Sequence, residues 1–192
     1  IHPLAIDTSV YKEKTDFSIQ GKLHLYWTGN FINSQKLLPL VPLLKKLSEK
    51  IPLRLTVVCP ADAGFDKSFC TVKPWNENTF FNELIEADIA LYPVGGNLDL
   101  EKSKTAYKPL EYAAAKIPTV ASPLGLTEFF NNDSEVLLVK DEADWEKQIS
   151  RLASDESLRK RLAENANHKL KQHHNYRMSF EKLMTAINTP VA

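Results

Sequence analysis

Short apolar runs alternate along this chain with longer stretches whose apolar positions recur every three to four residues. The short runs, rich in β-branched and aliphatic residues and bounded by turn formers, predict buried strands, and the longer spaced pattern predicts amphipathic helices. Strands are expected at Lys22–Trp27, Leu53–Cys59, Thr71–Lys73, Ile89–Tyr92, Thr119–Ser122 and Val136–Val139. Helices are expected from about Leu38 to Lys50, Asn78 to Glu86, Thr105 to Lys116, Asp141 to Ala153, Ser157 to about Gln172 and Arg177 to Ile187, with a helical turn at Glu128–Asn132. Pro39 and Pro42 fall in or before the first turn of the first helix, where a missing N–H costs little. Residues 60–70, with Gly64, and 93–104, with Gly95-Gly96, read as loops.

Strands alternating with helices, the strands apolar on both faces, predict an α/β fold: a Rossmann-like, doubly wound parallel sheet with helices on both faces and a helical C-terminal tail. Residues 1–20 are expected to be a linker and edge segment, 21–174 the sheet domain, and 175–192 a C-terminal helix. The stripe Phe180, Leu183, Met184 and Ile187 on that helix docks either on its own domain or on a partner domain that is not part of the chain. No internal repeat or low-complexity tract is visible.

Composition narrows the class. A length of 192 residues suits one domain with a sizeable core, and 43% hydrophobic with 25% charged residues is a globular composition. Lys plus Arg equals Asp plus Glu at 24 each, so no net charge draws the chain to nucleic acid or an anionic membrane. Cys59 and Cys70 have neither metal nor redox spacing and are expected to be reduced thiols of a cytoplasmic protein. No run approaches the ~18 apolar residues of a transmembrane helix, and no signal peptide is visible. The chain opens at Ile1 without a methionine, which leads to the expectation that it is part of something longer.

Ligands of open parallel sheets bind beyond the carboxyl ends of the strands. That rule selects the segments Thr28–Lys36, Cys59–Gly64, Lys73–Asn76 and Pro93–Tyr107. The first offers Gly29, Asn30, Asn33, Ser34 and Lys36, as an anion cradle or as a plain strand-to-helix turn. The last brings Lys102, Lys104 and Lys108 close to a helix start, where cations are out of place unless an anion is bound, or where they form a solvated cluster balanced by Asp99 and Glu101. Glu111 stands in an apolar helical segment; it either pairs with Lys108 one turn away or offers a carboxylate to both hydroxyls of a ribose. His24, His168, His173 and His174 lack ligand spacing, so no metal site is expected. No nucleophile elbow occurs, and nothing suits nucleic-acid binding.

The block Lys108-Pro-Leu-Glu-Tyr-Ala-Ala-Ala-Lys-Ile-Pro-Thr-Val-Ala-Ser-Pro-Leu-Gly125 resembles the K-x-L-E-Y-x-A-x-G-x-P-V-V-A-S-x-x-G block of the group 1 bacterial glycosyltransferases, retaining enzymes of the two-domain GT-B type. Other pieces fall in the family's order. Ile1–Asp7 is similar to the I-P-N-G-I-D linker entering the C-terminal domain, Leu25–Gly29 to its first strand and glycine turn, and Val72–Trp75 to the short strand and loop after the second unit. Ala87–Pro93 is similar to the x-D-I-x-L-x-P strand, Glu135–Val139 with Trp145 to the G-x-L-V…W tail, and Ser157–Ala163 to the L-R-x-R-L helix. The resemblance runs from Ile1 to about Ile187.

The resemblance implies the donor-binding half of a GT-B enzyme, taking a nucleotide-diphosphate sugar and transferring the sugar with retention to a glycan, lipid-linked or small-molecule acceptor held by an absent N-terminal domain. It implies that Glu111, second glutamate of an E-x7-E motif, binds the ribose. Gly29, Asn30, Lys36, Ser103, Lys104, Thr105, Ala106, Tyr107 and Lys108 would surround the diphosphate and sugar, and Lys73, Pro74 and Trp75 would lie beside the base. No metal or other cofactor is implied, and the isolated half would be inactive. The chain departs from the pattern at Ser103 in place of the first glutamate, at Asn30 where many relatives have a phosphate-binding arginine, and at Lys116 where glycine is usual. A non-catalytic interaction module of the same fold and a nucleotide-sugar epimerase-like enzyme are the competing readings.

Overall fold

The structure, a computed structural model, describes residues 5–76, 79–95, 107–123, 126 and 129–188. Six strands form one parallel sheet: β1 Leu23–Thr28, β2 Leu53–Val58, β3 Cys70–Lys73, β4 Ile89–Tyr92, β5 Thr119–Ala121 and β6 Leu137–Leu138. Their spatial order is β3-β2-β1-β4-β5-β6. The chain winds outward from β1 to β3, then returns to the other side of β1 and winds outward again, so the order reverses between β1 and β4. This is the doubly wound arrangement expected from the strand–helix alternation.

Pleating sends alternate side chains of β1 into two cores. Leu23, Leu25 and Trp27 pack with Leu44 and Leu47 of α2 (Val41–Lys50) and with Ile149 and Leu152 of the helix Glu142–Ser154. Tyr26 faces the other way, toward Phe80 and Leu84 of α3 (Phe80–Ile85) and Tyr112 of α4 (Tyr107–Ala114). Leu25, Leu44 and Leu55 are fully buried, each contributing about 1.5–3 kcal/mol of apolar burial. The helix Glu142–Ser154 is α5, and Glu156–His173 is α6; Leu110 and Ala113 of α4 meet Ala166 and Leu170 of α6 in a third cluster.

Local chemistry moves several expected boundaries. Pro39 and Pro42 lack N–H donors, so the first expected helix opens as a 3-10 turn, Leu38–Leu40, before α2. Asp141, expected as the first residue of its helix, caps it instead, accepting from the Asp144 amide, and Asp155 caps the next helix, which starts one residue earlier than expected, accepting from the Leu158 amide. The helix expected to reach Lys116 ends at Ala114 because Lys116 takes φ 58°, in the left-handed region. There the Lys116 N–H donates to Ala113 O (3.1 Å) and the Ile117 N–H to Tyr112 O (2.8 Å), a Schellman ending with Ile117 packed in the Tyr112 cluster. The starts of two expected helices, at Asn78 and Thr105, and the Glu128 end of the expected turn lie outside the described residues.

The segment 5–20, expected as a linker and edge, lies along the helices. The Ile6 N–H donates to His174 O and the Lys14 N–H to Ala115 O, both at 3.0 Å. The buried Arg159 guanidinium donates Nε and Nη2 to Phe17 O at 2.9 and 2.6 Å. The last helix, α7 (Tyr176–Asn188), buries none of its residues. Docking of its apolar stripe on its own domain is therefore not what the structure has: Phe180 is 61% and Ile187 65% exposed.

Candidate functional site

A cleft of about 590 Å³ opens at the carboxyl ends of β1 and β4, where the strand order reverses. That is the switch point at which open α/β sheets take their ligands, and the volume suits a nucleotide-sized molecule. Trp27, Thr28 and Gly29 supply the β1 side, Tyr92, Pro93 and Val94 the β4 side, and Tyr107, Lys108 and Glu111 the α4 side. Trp75, just beyond β3, lines the cleft and is 53% exposed.

The loop after β1 is more ordered than a plain turn. Residues Phe31–Ser34 form one helical turn, α1, which four residues are too few to announce by periodicity. Asn30 caps it, its Oδ1 accepting from the Asn33 N–H at 2.8 Å. Asn30 thus supports the loop, while Asn33 and Lys36 complete this wall of the cleft.

Gly29 brings the loop and α4 together. A Cβ at Gly29 would overlap the Trp27 ring and lie 2.5 Å from Lys108 Nζ. Only glycine leaves room for the Lys108 ammonium, which lies over the Trp27 ring 4.9 Å from its centroid. A cation–π contact of this kind is worth ~0.5–2 kcal/mol and holds the charge at the loop without neutralising it.

Glu111 reaches into the cleft from the second turn of α4. Its Oε1 accepts from the Tyr11 hydroxyl at 3.1 Å. Burial raises its carboxyl from the usual range to about 7, opposed first by the Tyr11 hydrogen bond and then by the charge of Lys108. The expected Lys108 influence is present but is the smaller of the two. Burial also raises Tyr11 and Tyr107, with the negative charge of Glu111 adding to it, so both hydroxyls stay protonated and able to donate.

Of the residues singled out from the sequence, Gly29, Asn30, Lys36, Trp75, Tyr107, Lys108 and Glu111 meet around this one cleft. Lys73 and Pro74 are not among its lining residues; Lys73 Nζ instead faces Glu83 at 3.3 Å. Ser103, Lys104, Thr105 and Ala106 lie outside the described residues. Trp27 and Phe80 also line the cleft and Tyr11 bonds Glu111, though the sequence pattern singles out none of the three. Trp27 stands at the carboxyl end of its strand, a position that signals a loop-facing ring; Phe80 reads as a helix-core residue. Tyr11 carries no local signal, since its partner is Glu111. Among the described residues, no group of three or more His, Cys, Asp or Glu side chains could hold a metal ion, and no helix is long and apolar enough to cross a membrane.

The sequence profile of a glycosyl transferase-like family matches residues 40–185. No curated protein matches the chain by sequence. Among solved structures, the chain is similar to the C-terminal domain of a group 1 family glycosyl transferase, LpcC, from Francisella tularensis (TM-score 0.68, 17% identity, 90% of this chain and 100% of that one). It is also similar to HepE of Anabaena, solved in complex with UDP and glucose (TM-score 0.75, 10% identity, 97% of this chain and 55% of that one). A third is sucrose-phosphate synthase from Thermosynechococcus elongatus (TM-score 0.73, 15% identity, 97% of this chain and 51% of that one). At these identities the likeness is one of fold, that of the C-terminal half of a GT-B enzyme. The chain spans the whole of the first structure and about half of the other two.

Proposed function

The chain belongs to the glycosyl transferase-like family, and from that premise we propose that its cleft binds the nucleotide-diphosphate end of a sugar donor. The observation that carries this reading is the meeting of a carboxylate, Glu111, with an ammonium, Lys108, and a close-approach glycine, Gly29, at the switch point of the sheet. A ribose presents two neighbouring hydroxyl donors, which a carboxylate with several lone pairs can accept together. A diphosphate presents negative oxygens, which suit Lys108, Lys36 and the start of α4. Trp75 offers an exposed ring to the base.

In this reading the domain performs the donor half of a glycosyl transfer. As the bond from the sugar's anomeric carbon to the diphosphate oxygen breaks, negative charge grows on that oxygen. Lys108 and Lys36 stabilise it, in a cleft where charges interact more strongly than in bulk water. These cations do the work that a divalent metal does elsewhere, so the site needs no metal. The sugar passes with retention to an acceptor on a second domain, toward which the exposed apolar face of α7 would turn. The use of Asn30 as a cap favours one alternative, a binding module without turnover; Lys108 beside Gly29 returns a positive charge to the same loop.

Calorimetric titration with UDP, GDP and their sugars tests the reading. The expected result is saturable binding of one nucleotide series and its loss in Glu111→Ala. Absence of saturable binding by every member of the panel would overturn it.

A further inference from the structure

We propose that Tyr11 is a positioning residue of the donor site: its hydroxyl holds the Glu111 carboxylate toward the cleft, so that a segment preceding the sheet sets the grip on the ribose. The proposal rests on the reading of Glu111 as the ribose acceptor given above.

A glutamate side chain loses roughly 1.5–2 kcal/mol of rotamer freedom when it is fixed. One oxygen of Glu111 is already fixed, because Oε1 accepts from Tyr11 at 3.1 Å. The other oxygen, and the second lone pair of the first, stay available on a residue that lines the cleft. The ordering cost is thus met before any ligand arrives.

Tyr11 is itself well placed to hold. Its ring stands edge-on to Phe81, with centroids 4.9 Å apart and planes at 85°. On one side of it, Lys14 donates its backbone N–H to Ala115 O, and the Glu13 carboxylate takes both Lys116 and Lys171. Lys12 Nζ donates to Asn82 Oδ1 at 3.3 Å. On the other side, Ile6 donates to His174 O at the end of α6. The hydroxyl therefore sits on backbone anchored at α3, α4 and α6.

Tyr11 also favours the charged form of the carboxylate over the neutral acid. The groups that act on or around Glu111 are Tyr11 from the segment, Tyr26 from β1, Tyr107, Lys108 and Tyr112 from its own helix, and Tyr176 of α7, which faces Tyr11 and Tyr107. Of these, Tyr11 and Lys108 favour the charged carboxylate over the neutral acid. Without the Tyr11 hydroxyl, Lys108 opposes desolvation alone, and the carboxyl titrates at a higher pH.

The test uses the 192-residue chain and its Tyr11→Phe, Glu111→Gln and doubly substituted forms. Each is titrated with UDP and GDP and with their 2′,3′-dideoxy analogues, between pH 6 and 8. Phenylalanine keeps the ring against Phe81, and a thermal melt of each variant checks the fold. Tyr11→Phe is expected to weaken the ribonucleotide about five- to tenfold at pH 7, the size of a charge-assisted hydrogen bond acting through one intermediary. It should leave the dideoxy analogue unchanged, move the acid-side loss of affinity to higher pH, and add nothing to Glu111→Gln. If the unsubstituted chain prefers the ribonucleotide but Tyr11→Phe matches it in affinity, preference and pH midpoint, the role of Tyr11 is overturned and the Glu111 reading stands. Equal weakening of both analogues would mark a packing defect and likewise overturn it. If the unsubstituted chain binds ribonucleotide and dideoxynucleotide alike, or neither, the Glu111 reading falls and the proposal with it.

Discussion

Lys108 holds its ammonium over the indole of Trp27, and Gly29 is the residue that leaves space for both. Substituting Gly29→Ala forces a Cβ into the ring and the ammonium. The Trp27 ring is buried, so the lysine end is what yields. A loss of about 1–3 kcal/mol of stability, the usual cost of overpacking, and weaker nucleotide binding are expected from a denaturant melt and a titration. Lys108→Met keeps the length of the side chain and removes the charge. Its nucleotide affinity should fall about tenfold or more at low salt, and the remaining affinity should depend less on ionic strength than that of the unsubstituted chain.

Glu111 sets activity against stability. Its carboxyl is raised from 4.5 to about 7 by burial. In the unliganded chain the folded state therefore holds a proton that the unfolded state releases. The associated stability is fully present below about pH 4.5 and is lost as pH rises through about 7, a difference on the order of 2–3 kcal/mol. Glu111→Gln removes the titration. The variant should melt a few degrees higher than the parent at pH 8 while binding nucleotide poorly; a lower melting temperature at pH 8 would contradict the account.

His24 works with the opposite sign. Its Nδ1–H donates to Glu86 O at 3.0 Å, and its Nε2 accepts from the Thr56 hydroxyl at 2.8 Å, so the neutral ring is fully bonded. Burial, and then the charge of Arg54, lower its pKa from 6.5 to about 4. Protons bind the unfolded state first, so this stability is present above about pH 6.5 and is lost as pH falls toward 4. The loss, up to about 3 kcal/mol, overlaps the window in which Glu111 gains. The two contributions therefore oppose one another between pH 4.5 and 6.5, and stability should fall more steeply on acidification in Glu111→Gln than in the parent chain. A profile in Glu111→Gln that stays flat would contradict this.

Lys116 occupies the left-handed position after α4 at φ 58°, with its ammonium 2.9 Å from Glu13. Lys116→Gly removes a backbone strain of about 1 kcal/mol and a partly exposed ion pair worth roughly 0.2–1 kcal/mol. The net change should be a gain of up to about 1 kcal/mol. Lys116→Ala keeps the strain and loses the pair, and should be less stable than the parent. Denaturant midpoints at unchanged m-value compare the three.

Much of this architecture is legible in the residues because burial on two faces leaves a plain mark. Leu53–Val58 and Ile89–Tyr92 are short, mostly apolar runs that read as buried strands, and the helical period around Glu111 places that residue one turn beyond Lys108. The cleft-lining roles of Gly29, Lys36, Trp75 and Lys108 follow from the rule that loops after parallel strands share one edge. What was illegible is what depends on distance or on single backbone angles. The Tyr11 hydroxyl finds Glu111 across a separation of 100 residues, and no periodicity encodes that. The turn Phe31–Ser34 is shorter than the pattern that would reveal it. Lys73 reads as a neighbour of Trp75, yet Lys73 is the last residue of β3 while Trp75 lies in the loop beyond it, and Glu83 takes the lysine's charge. The stripe on α7 reads as a docking face for its own or another domain, but amphipathicity states only that a face can be covered, and here it is exposed.

The most direct measurement is a crystal structure of the chain soaked in turn with UDP, GDP and their sugars. The expected density shows a ribose diol on the Glu111 carboxylate, with the diphosphate against Gly29 and the Lys108 ammonium. A nucleotide bound elsewhere on the surface, or a cleft that stays empty at saturating concentrations of every candidate, would contradict the account.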